Sequence, residues 1–378
     1  MRVLNVNMSL DPIGGGGTAE RTLQMTRSLV KAGVECFLIS TDIGLTAERM
    51  KEVEDVHIVA LPCLVERFYI PRFLLNKITQ LVKHVDIVHI MGHWVFLNAL
   101  IYLIAKMLRK PYVVCPAGAL QIYGRSRNIK KFYNFIIGQR IIRDADGHVA
   151  IAANEISQFQ AYGVDSNRVS IIPNGINVEG FQVIDVAGFR GKYGLEDYPF
   201  IMFMGRLNDI KGPDLLLQAF CNLKNKLKDY HLVFAGPDGG MLAKLKAKVE
   251  EFKLNDRVRF LGYLGGVDKS QAYYAAELLA IPSRQEAMSI VVLEAGITGT
   301  PVLLTDQCGF DEIAHIGGGQ VVPASVNGLQ KGLVEILSNP TQLKLMGENL
   351  EKYIYEHFTW DAIIDKYMKL YYKILSEK

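Results

Sequence analysis

Two glutamates eight positions apart, Glu286 and Glu294, are the residues of this chain best placed to do chemistry. Before them runs a buried-strand pattern, Leu278-Leu279-Ala280-Ile281, closed by Pro282-Ser283; after Ser289 the apolar residues through Ala295-Gly296 read as a packed helix. This order predicts Glu286 in the loop ahead of a helix N-terminus and Glu294 inside the helix. The first backbone N–H groups of such a helix, at Met288, Ser289, Ile290 and Val291, are free of intrahelical partners and favour an anion. At about 1.5 Å of rise per residue the two carboxylates stand at most roughly 12 Å apart along the axis. That is the reach of a sugar and a ribose with a diphosphate between them. On spacing alone, a βα unit with two surface acids fits equally well.

Two cations fall at another strand end. The strand pattern Phe200 to Met204 is followed by Gly205-Arg206-Leu207, then by Lys211-Gly212 and a helical stretch from Pro213 to Lys228. Arg206, with a planar fork of donors, and Lys211, a compact point charge, are suited to a phosphate. Near the start, Asp11-Pro12-Ile13-Gly14-Gly15-Gly16-Gly17 forms a glycine-rich loop between a strand, Val3 to Met8, and a helix that stops at Gly33. Gly15, Gly16 and Gly17 would let the backbone approach a phosphate or a sugar. The loop is not the strict G-x-G-x-x-G fingerprint: Gly14 and Gly16 match, but Ala19 stands where the third glycine or alanine belongs; Asp42 keeps a dinucleotide site open as a competing reading. His93, after the strand pattern Asp86 to Ile90, is as readily a packed histidine as a functional one. His89 and His93 straddle a strand end and Gly92, not one helix face, so no metal is expected.

The elements that must position these residues alternate as strand and helix along 378 residues, which exceeds one usual core. Further strand patterns are Glu35–Ser40, Tyr112–Cys115, His148–Ile151 and Val169–Ile172. After the turn cluster Pro173-Asn174-Gly175 the alternation restarts, with strands expected at Leu232–Ala235, Val258–Leu261, Val302–Leu304 and Gln320–Val322. The fold class is α/β, as two doubly wound sheets in series, residues 1–173 and 174–358. A last amphipathic helix, residues 359–378, is expected to cross back onto the first domain. Sites in such sheets lie beyond the carboxyl ends of the strands, where each motif above falls.

Taken together, Gly205-Arg206-Leu207 with Lys211-Gly212, the Glu286/Glu294 pair and Pro173-Asn174-Gly175 resemble the retaining GT-B glycosyltransferases of family GT4, in the same order and over nearly the whole chain. The resemblance implies two Rossmann-like domains facing a cleft, an acceptor held by the first and a nucleotide-sugar donor held mainly by the second, without a metal or cofactor. It assigns Glu286 to the donor-sugar hydroxyls and Glu294 to the ribose, with Arg206 and Lys211 on the leaving diphosphate. It places the nucleobase near Gly262, Tyr263 and Leu264. A UDP-sugar is the expected donor, with GDP- and ADP-sugars as alternatives. Many relatives carry His or Arg in the loop that here reads Cys115-Pro116-Ala117-Gly118; Ala117 stands there instead, a departure that leaves open whether an acceptor base exists, with His93, after its own strand, as a candidate. Asp144-Ala145-Asp146 follows a helix pattern, not a buried strand, and so reads as a helix-to-strand turn and not as the paired-aspartate metal site of GT-A enzymes.

Charge and cysteines bound the partners. Net charge is +3, but Ile87 to Arg143 contains no Asp or Glu. Its nine Lys and Arg, Arg125 among them, all fall within 106–143 and suit a glycan or lipid-linked acceptor at an anionic membrane. Nucleic acid is not expected, since no binding motif accompanies the charge. Phe132, Phe135, Ile136, Ile137, Ile141 and Ile142 interleave with those charges; core packing is the default for them, an interfacial helix the alternative. Five cysteines without a C-x-x-C pair suit a reducing compartment. The chain begins directly with a strand, not a charged leader, and the expected location is the cytoplasm or the inner face of a membrane. The function expected is transfer of a hexose, glucose-type first, from a nucleoside diphosphate in polysaccharide biosynthesis. An epimerase or hydrolase of the same architecture and a non-catalytic nucleotide-sugar-binding protein are the alternatives.

Overall fold

A computed structural model describes residues 1–11, 14–51, 53–72, 74–122, 126–181, 185–195 and 198–378. Pro12 and Ile13 of the glycine-rich loop and Arg125 of the basic segment lie outside the described residues. The chain divides into two compact units, Met1–Gly175 with Trp360–Lys378, and Ile176–Thr359. The division falls two residues beyond the one drawn from the sequence at 173/174.

Among its described residues the first unit carries β1 (Arg2–Val6), β2 (Glu35–Thr41), β3 (His57–Leu61), a small antiparallel pair of β4 (Cys63–Val65) and β5 (Ile70–Pro71), then β6 (Ile87–Met91), β7 (Tyr112–Cys115), β8 (Gly147–Ala150) and β9 (Val169–Ile171). The seven-stranded sheet is parallel, in the order β3-β2-β1-β6-β7-β8-β9. Strand β6 is buried at every position, as a strand covered on both faces must be. The sequence pattern did not yield β3, an edge strand whose middle residues are only half buried.

The second unit carries β10 (Phe200–Met204), β11 (His231–Ala235), β12 (Val258–Gly262), β13 (Leu278–Ile281), β14 (Val302–Thr305) and β15 (Gly319–Val322) in a parallel sheet of order β12-β11-β10-β13-β14-β15. Both sheets run outward in one direction and then in the other from a central pair, β1/β6 in the first and β10/β13 in the second. The strand order reverses there, and a crevice opens beyond the strand ends at that point. The helix expected over 213–228 is shorter, Pro213–Asn222, and is followed by turns.

The closing helix, Trp360–Ser376, belongs to the first unit and buries Ile363, Tyr367, Tyr371 and Ile374. Arg21, on the helix Gly16–Lys31, is 3% exposed. Its guanidinium donates to Asn174 Oδ1, to the Ile172 carbonyl (3.3 Å) and to the Tyr367 hydroxyl. One arginine thus joins the first helix, the last strand's exit and the returning helix.

The triplet Asp144-Ala145-Asp146 is a helix-to-strand turn: Asp146 accepts from Tyr112 N at 2.9 Å and Asp144 from Tyr102 Oη at 2.8 Å. The core-packing default for the 132–142 apolar residues is corrected in part. Ile141 and Ile142 are buried, but Phe132, Phe135 and Ile136 are exposed. The segment runs as a helix, Arg127–Tyr133, a π-turn, Asn134–Gly138, and a second helix, Gln139–Arg143; its outward side carries those three residues.

Candidate active site

The second unit gathers its candidate residues where its strand order reverses. Glu286 follows β13 and Lys211 follows the adjacent β10. Lys211 Nζ stands 2.9 Å from Glu286 Oε2. The other carboxylate oxygen, Oε1, accepts from Ser283 Oγ, and the Glu286 side chain is 9% exposed. Backbone contacts fix both loops: Glu286 N donates to Gln307 O at 2.8 Å and Lys211 N to Asn208 Oδ1 at 3.0 Å. Gly212, at φ +65°, lies so close to β13's exit that a Cβ on it would overlap the Pro282 carbonyl oxygen. Only glycine fits, and that close approach brings Lys211 to Glu286.

Around this pair the packing is polar and closed. Ser283 O accepts from Thr305 Oγ1 at 2.5 Å, and Cys308 Sγ lies 3.4 Å from the same hydroxyl. Burial, with Glu286 nearby, pushes the Cys308 thiol up to about 12, so it is a packed thiol and not a nucleophile. Arg284, beside Glu286 in sequence, is spent elsewhere: it donates from Nη1 and Nη2 to the two carboxylate oxygens of Asp214 at 2.9 and 2.6 Å. That fork overcomes the effect of burial and holds Asp214 below the usual carboxylate range.

Arg206 lies on the loop that also carries Lys211. Its carbonyl accepts from Asn208 N at 2.9 Å, and its stem runs beside Gly239, where a Cβ would come 2.9 Å from Arg206 Cγ. Gly236, in the loop after β11, donates to Gly262 O at 2.6 Å and leaves no room for a Cβ against the Gly205 carbonyl. Gly262, the last residue of β12, is at φ +72°; after it Tyr263 is exposed and Leu264 is buried.

Glu294 sits in the helix Ile290–Ile297 and is 6% exposed. Lys269 Nζ donates to its Oε1 at 2.8 Å and Tyr273 Oη to its Oε2 at 2.6 Å. A carboxylate accepts about four hydrogen bonds, so each oxygen keeps a lone pair for a diol. Ser289, the N-cap, is buried, and its Oγ has no hydrogen-bond partner; Met288 is buried beside it. The N–H groups of Ile290 and Val291 begin the helix and lie outside its ladder. Ser283, Lys269 and Tyr273 were not read from the sequence as site residues. Lys269 and Tyr273 lie 25 and 21 positions from Glu294, on the helix Gly266–Ala275, and no short spacing links them.

The first unit holds the other candidates, also at its reversal point. Gly15 caps the helix Gly16–Lys31 and donates to Asp11 O at 2.9 Å; Gly16, at φ +54°, and Gly17 open it. His93, after β6, is 2% exposed and packs against the rings of Trp94, Tyr133 and Tyr162. Its Nε2 is 2.9 Å from Asn134 Oδ1 and its Nδ1 has no partner. Burial lowers it to about 4, so the ring is neutral at physiological pH. His89 Nδ1 pairs with Tyr371 Oη at 2.6 Å. Ala117 takes φ +49°, a left-handed conformation uncommon for a residue with a side chain. Among the described residues no three His, Cys, Asp or Glu side chains group as a metal site.

Comparison with known proteins follows these two units. Residues 15–179 match the family Glycosyltransferase Family 4, and residues 187–353 match Glycosyl transferases group 1. A D-inositol 3-phosphate glycosyltransferase of Nocardia farcinica is 34% identical over 190 residues, covering 48% of this chain and 42% of that protein. The match thus spans less than half of that relative's length. The crystal structure of Anabaena Alr3699/HepE in complex with UDP and glucose aligns over 98% of both chains, with TM-score 0.79 and 16% identity. The sucrose-phosphate synthase (tll1590) from Thermosynechococcus elongatus aligns over 100% of both chains, with TM-score 0.78 and 20% identity. At those identities the structural likeness speaks to the fold, which is GT-B, two Rossmann-like domains.

Proposed function

The chain belongs to the group 1 glycosyl transferases, and from that premise we propose that it moves a hexose, glucose-type first, from a UDP-sugar to a glycan or lipid-linked acceptor with retention of configuration. The observation that carries the reading is the 2.9 Å pair of Lys211 and Glu286 where the second sheet reverses its strand order. An ammonium has three donors; Glu286 takes one, and phosphoryl oxygens take others. Lys211 and Arg206 neutralise the charge that grows on the departing diphosphate, and the N–H groups of the Ile290–Ile297 helix add their dipoles. With two fixed side-chain cations on the loop after β10, this reading needs no divalent ion.

Glu286, anchored by Ser283, receives the hydroxyls of the donor sugar. Glu294, held by Lys269 and Tyr273, receives the ribose diol. The base lies beside Gly262, Tyr263 and Leu264, mainly on backbone groups, so GDP- and ADP-sugars are the alternatives to UDP. Gly15, Gly16 and Gly17 serve the same ligand or the acceptor through backbone N–H groups. His93 enters as a neutral group, able to accept a proton only weakly. The reading includes work in polysaccharide biosynthesis in the cytoplasm, with a peripheral contact to an anionic membrane through residues 106–143. Among the described residues no helix is long and apolar enough to cross a membrane.

Thermal-shift titration with UDP, GDP and ADP, and then with their sugars, tests the reading, because a ligand bound only by the folded state raises the melting temperature. Stabilisation by UDP-glucose, followed by acceptor-dependent release of UDP, is the expected result. No stabilisation by any nucleoside diphosphate overturns it. Donor consumption without an acceptor would make the protein an epimerase or hydrolase, and binding without turnover a non-catalytic binding protein.

A further inference from the structure

The helix Phe96–Met107 lacks the polar outer side of an ordinary amphipathic helix: large apolar residues lie on both of its sides. Leu97, Ile101, Ile104 and Ala105 enter the core of the first unit. On the opposite side Phe96, Leu103 and Met107, at spacings of seven and four, face outward, and Met107 is 69% exposed. At about 100° per residue these three fall within one narrow stripe. Beside this helix, in the same direction, runs the segment 127–143. Tyr133 Oη donates to Val95 O at 3.2 Å at one end, and Tyr102 Oη to Asp144 at 2.8 Å at the other. Ile141 and Ile142 enter the same core, so the outward sides of the two segments share one side of the unit. That side of the second segment carries Phe132 at 64% exposed and Phe135 at 85%.

Exposed apolar residues scattered singly need no explanation, but two adjacent stripes of large ones do. The charge around them is mostly of one sign, and the acid at its end, Asp144, lies 3.8 Å from Lys106 Nζ. From Arg67 to Arg143 there are 13 Lys and Arg, and the one acid, Asp86, is paired with Arg2 at 2.8 Å. Lys131 and Arg140 are exposed on the second segment itself. A second copy of this chain would bring like charge against like charge. The aromatic rings project outward instead of lining a groove that a partner's side chains would fill.

We propose that this face docks on an anionic lipid bilayer, with Phe132, Phe135, Leu103 and Met107 entering the headgroup boundary and the surrounding Lys and Arg meeting the lipid phosphates. The inference deepens the acceptor half of the function proposed above, because it brings the acceptor-binding unit to a lipid-linked substrate. Its geometry stands on the first unit alone.

Vesicle flotation of the full chain tests it, with vesicles of phosphatidylcholine alone and with about 30 mol % phosphatidylglycerol, at about 50 and about 500 mM salt. The wild type is expected to float with the anionic vesicles only, and K131E/R140E to lose most of that binding at low salt. F132S/F135S is expected to bind roughly tenfold more weakly and to lose the fraction that survives high salt. Both double variants are expected to keep the wild-type melting temperature and its shift with UDP. Absence of wild-type binding to anionic vesicles overturns the inference, as does binding that F132S/F135S leaves unchanged. A wild-type dimer that F132S/F135S converts to monomer in sedimentation also overturns it, since the face then joins copies of the chain. A wild type that fails to float with anionic vesicles while keeping its shift with UDP counts against the lipid inference and leaves the donor reading standing.

Discussion

Lys211 Nζ and Glu286 Oε2 meet at 2.9 Å although 75 positions separate them, because they leave the neighbouring strands β10 and β13 at the reversal of the second sheet. Each holds the other in place, and neither is fully solvated. K211A and E286Q are each expected to lower kcat/KM for transfer from the donor sugar by about 10²–10³. The double variant should fall little further, because two residues that act as one unit are not additive. Steady-state kinetics of the four proteins decides; an additive double loss would mean that the two act independently.

Gly212 is expected to tolerate no side chain. It combines φ +65° with a Cβ position that overlaps the Pro282 carbonyl oxygen. G212A should destabilise the fold by about 2 kcal/mol or more, and weaken UDP binding beyond what the melting temperature alone explains, because the loop holding Lys211 moves away from β13. Calorimetric melting beside a binding isotherm checks both parts.

Tyr273 supplies one of the two hydrogen bonds that orient Glu294. Y273F is expected to weaken binding of UDP by roughly fivefold to tenfold, and to leave binding of a nucleotide without ribose hydroxyls unchanged. Equal weakening of both ligands would place the effect of Tyr273 in the fold and not in ribose recognition.

The buried histidines of the first unit make its stability depend on pH. Burial holds His93 at about 4; burial first, and then the Arg21 cation, hold His89 at about 3. Both lie below the ordinary value of 6.5, so the unfolded chain takes up protons first as the pH falls. The stabilisation is therefore complete above 6.5 and is lost progressively toward 4 and 3. His93 alone is expected to cost roughly 2 kcal/mol between about pH 8 and pH 5. Urea midpoints at those two pH values, for the wild type and H93Q, should show a smaller acid-side loss in the variant.

Arg21 is 3% exposed and serves three acceptors from two distant segments. R21M is expected to cost about 3 kcal/mol or more, since the Asn174, Ile172 and Tyr367 groups are left buried without it. R21K should recover little, because a point charge cannot reproduce a planar fork. Denaturant unfolding of both variants measures this; full recovery by lysine would show that charge, not geometry, is what the site needs.

What could be read from the linear chain was whatever repeats over a few residues. The apolar runs at Phe200–Met204 and Leu278–Ile281 declared buried parallel strands, because a strand covered on both faces has no polar side to show. Glu286 ahead of a helix and Glu294 within it followed from the change of period after Ser289. The strand His57–Leu61 was not read from the chain although Ile58 to Leu61 are apolar; its place at the sheet edge, half exposed, is a fact of the tertiary structure.

Only the tertiary structure decided which distant groups meet and which side of a segment meets water. The pairing of Glu294 with Lys269 and Tyr273, and of Arg21 with Tyr367, depends on strand order and on the return of the last helix, and no local spacing encodes either. The burial of His93 comes from three rings and an asparagine at sequence distances of one to sixty-nine. Phe132 and Phe135 were read as core by default, since apolar side chains usually pack. Ile141 and Ile142 fill the core at the far end of the same segment, and the phenylalanines are left on its outer side. Local composition sets which residues are apolar or charged; the three-dimensional packing sets which of them still have a free side to offer a partner.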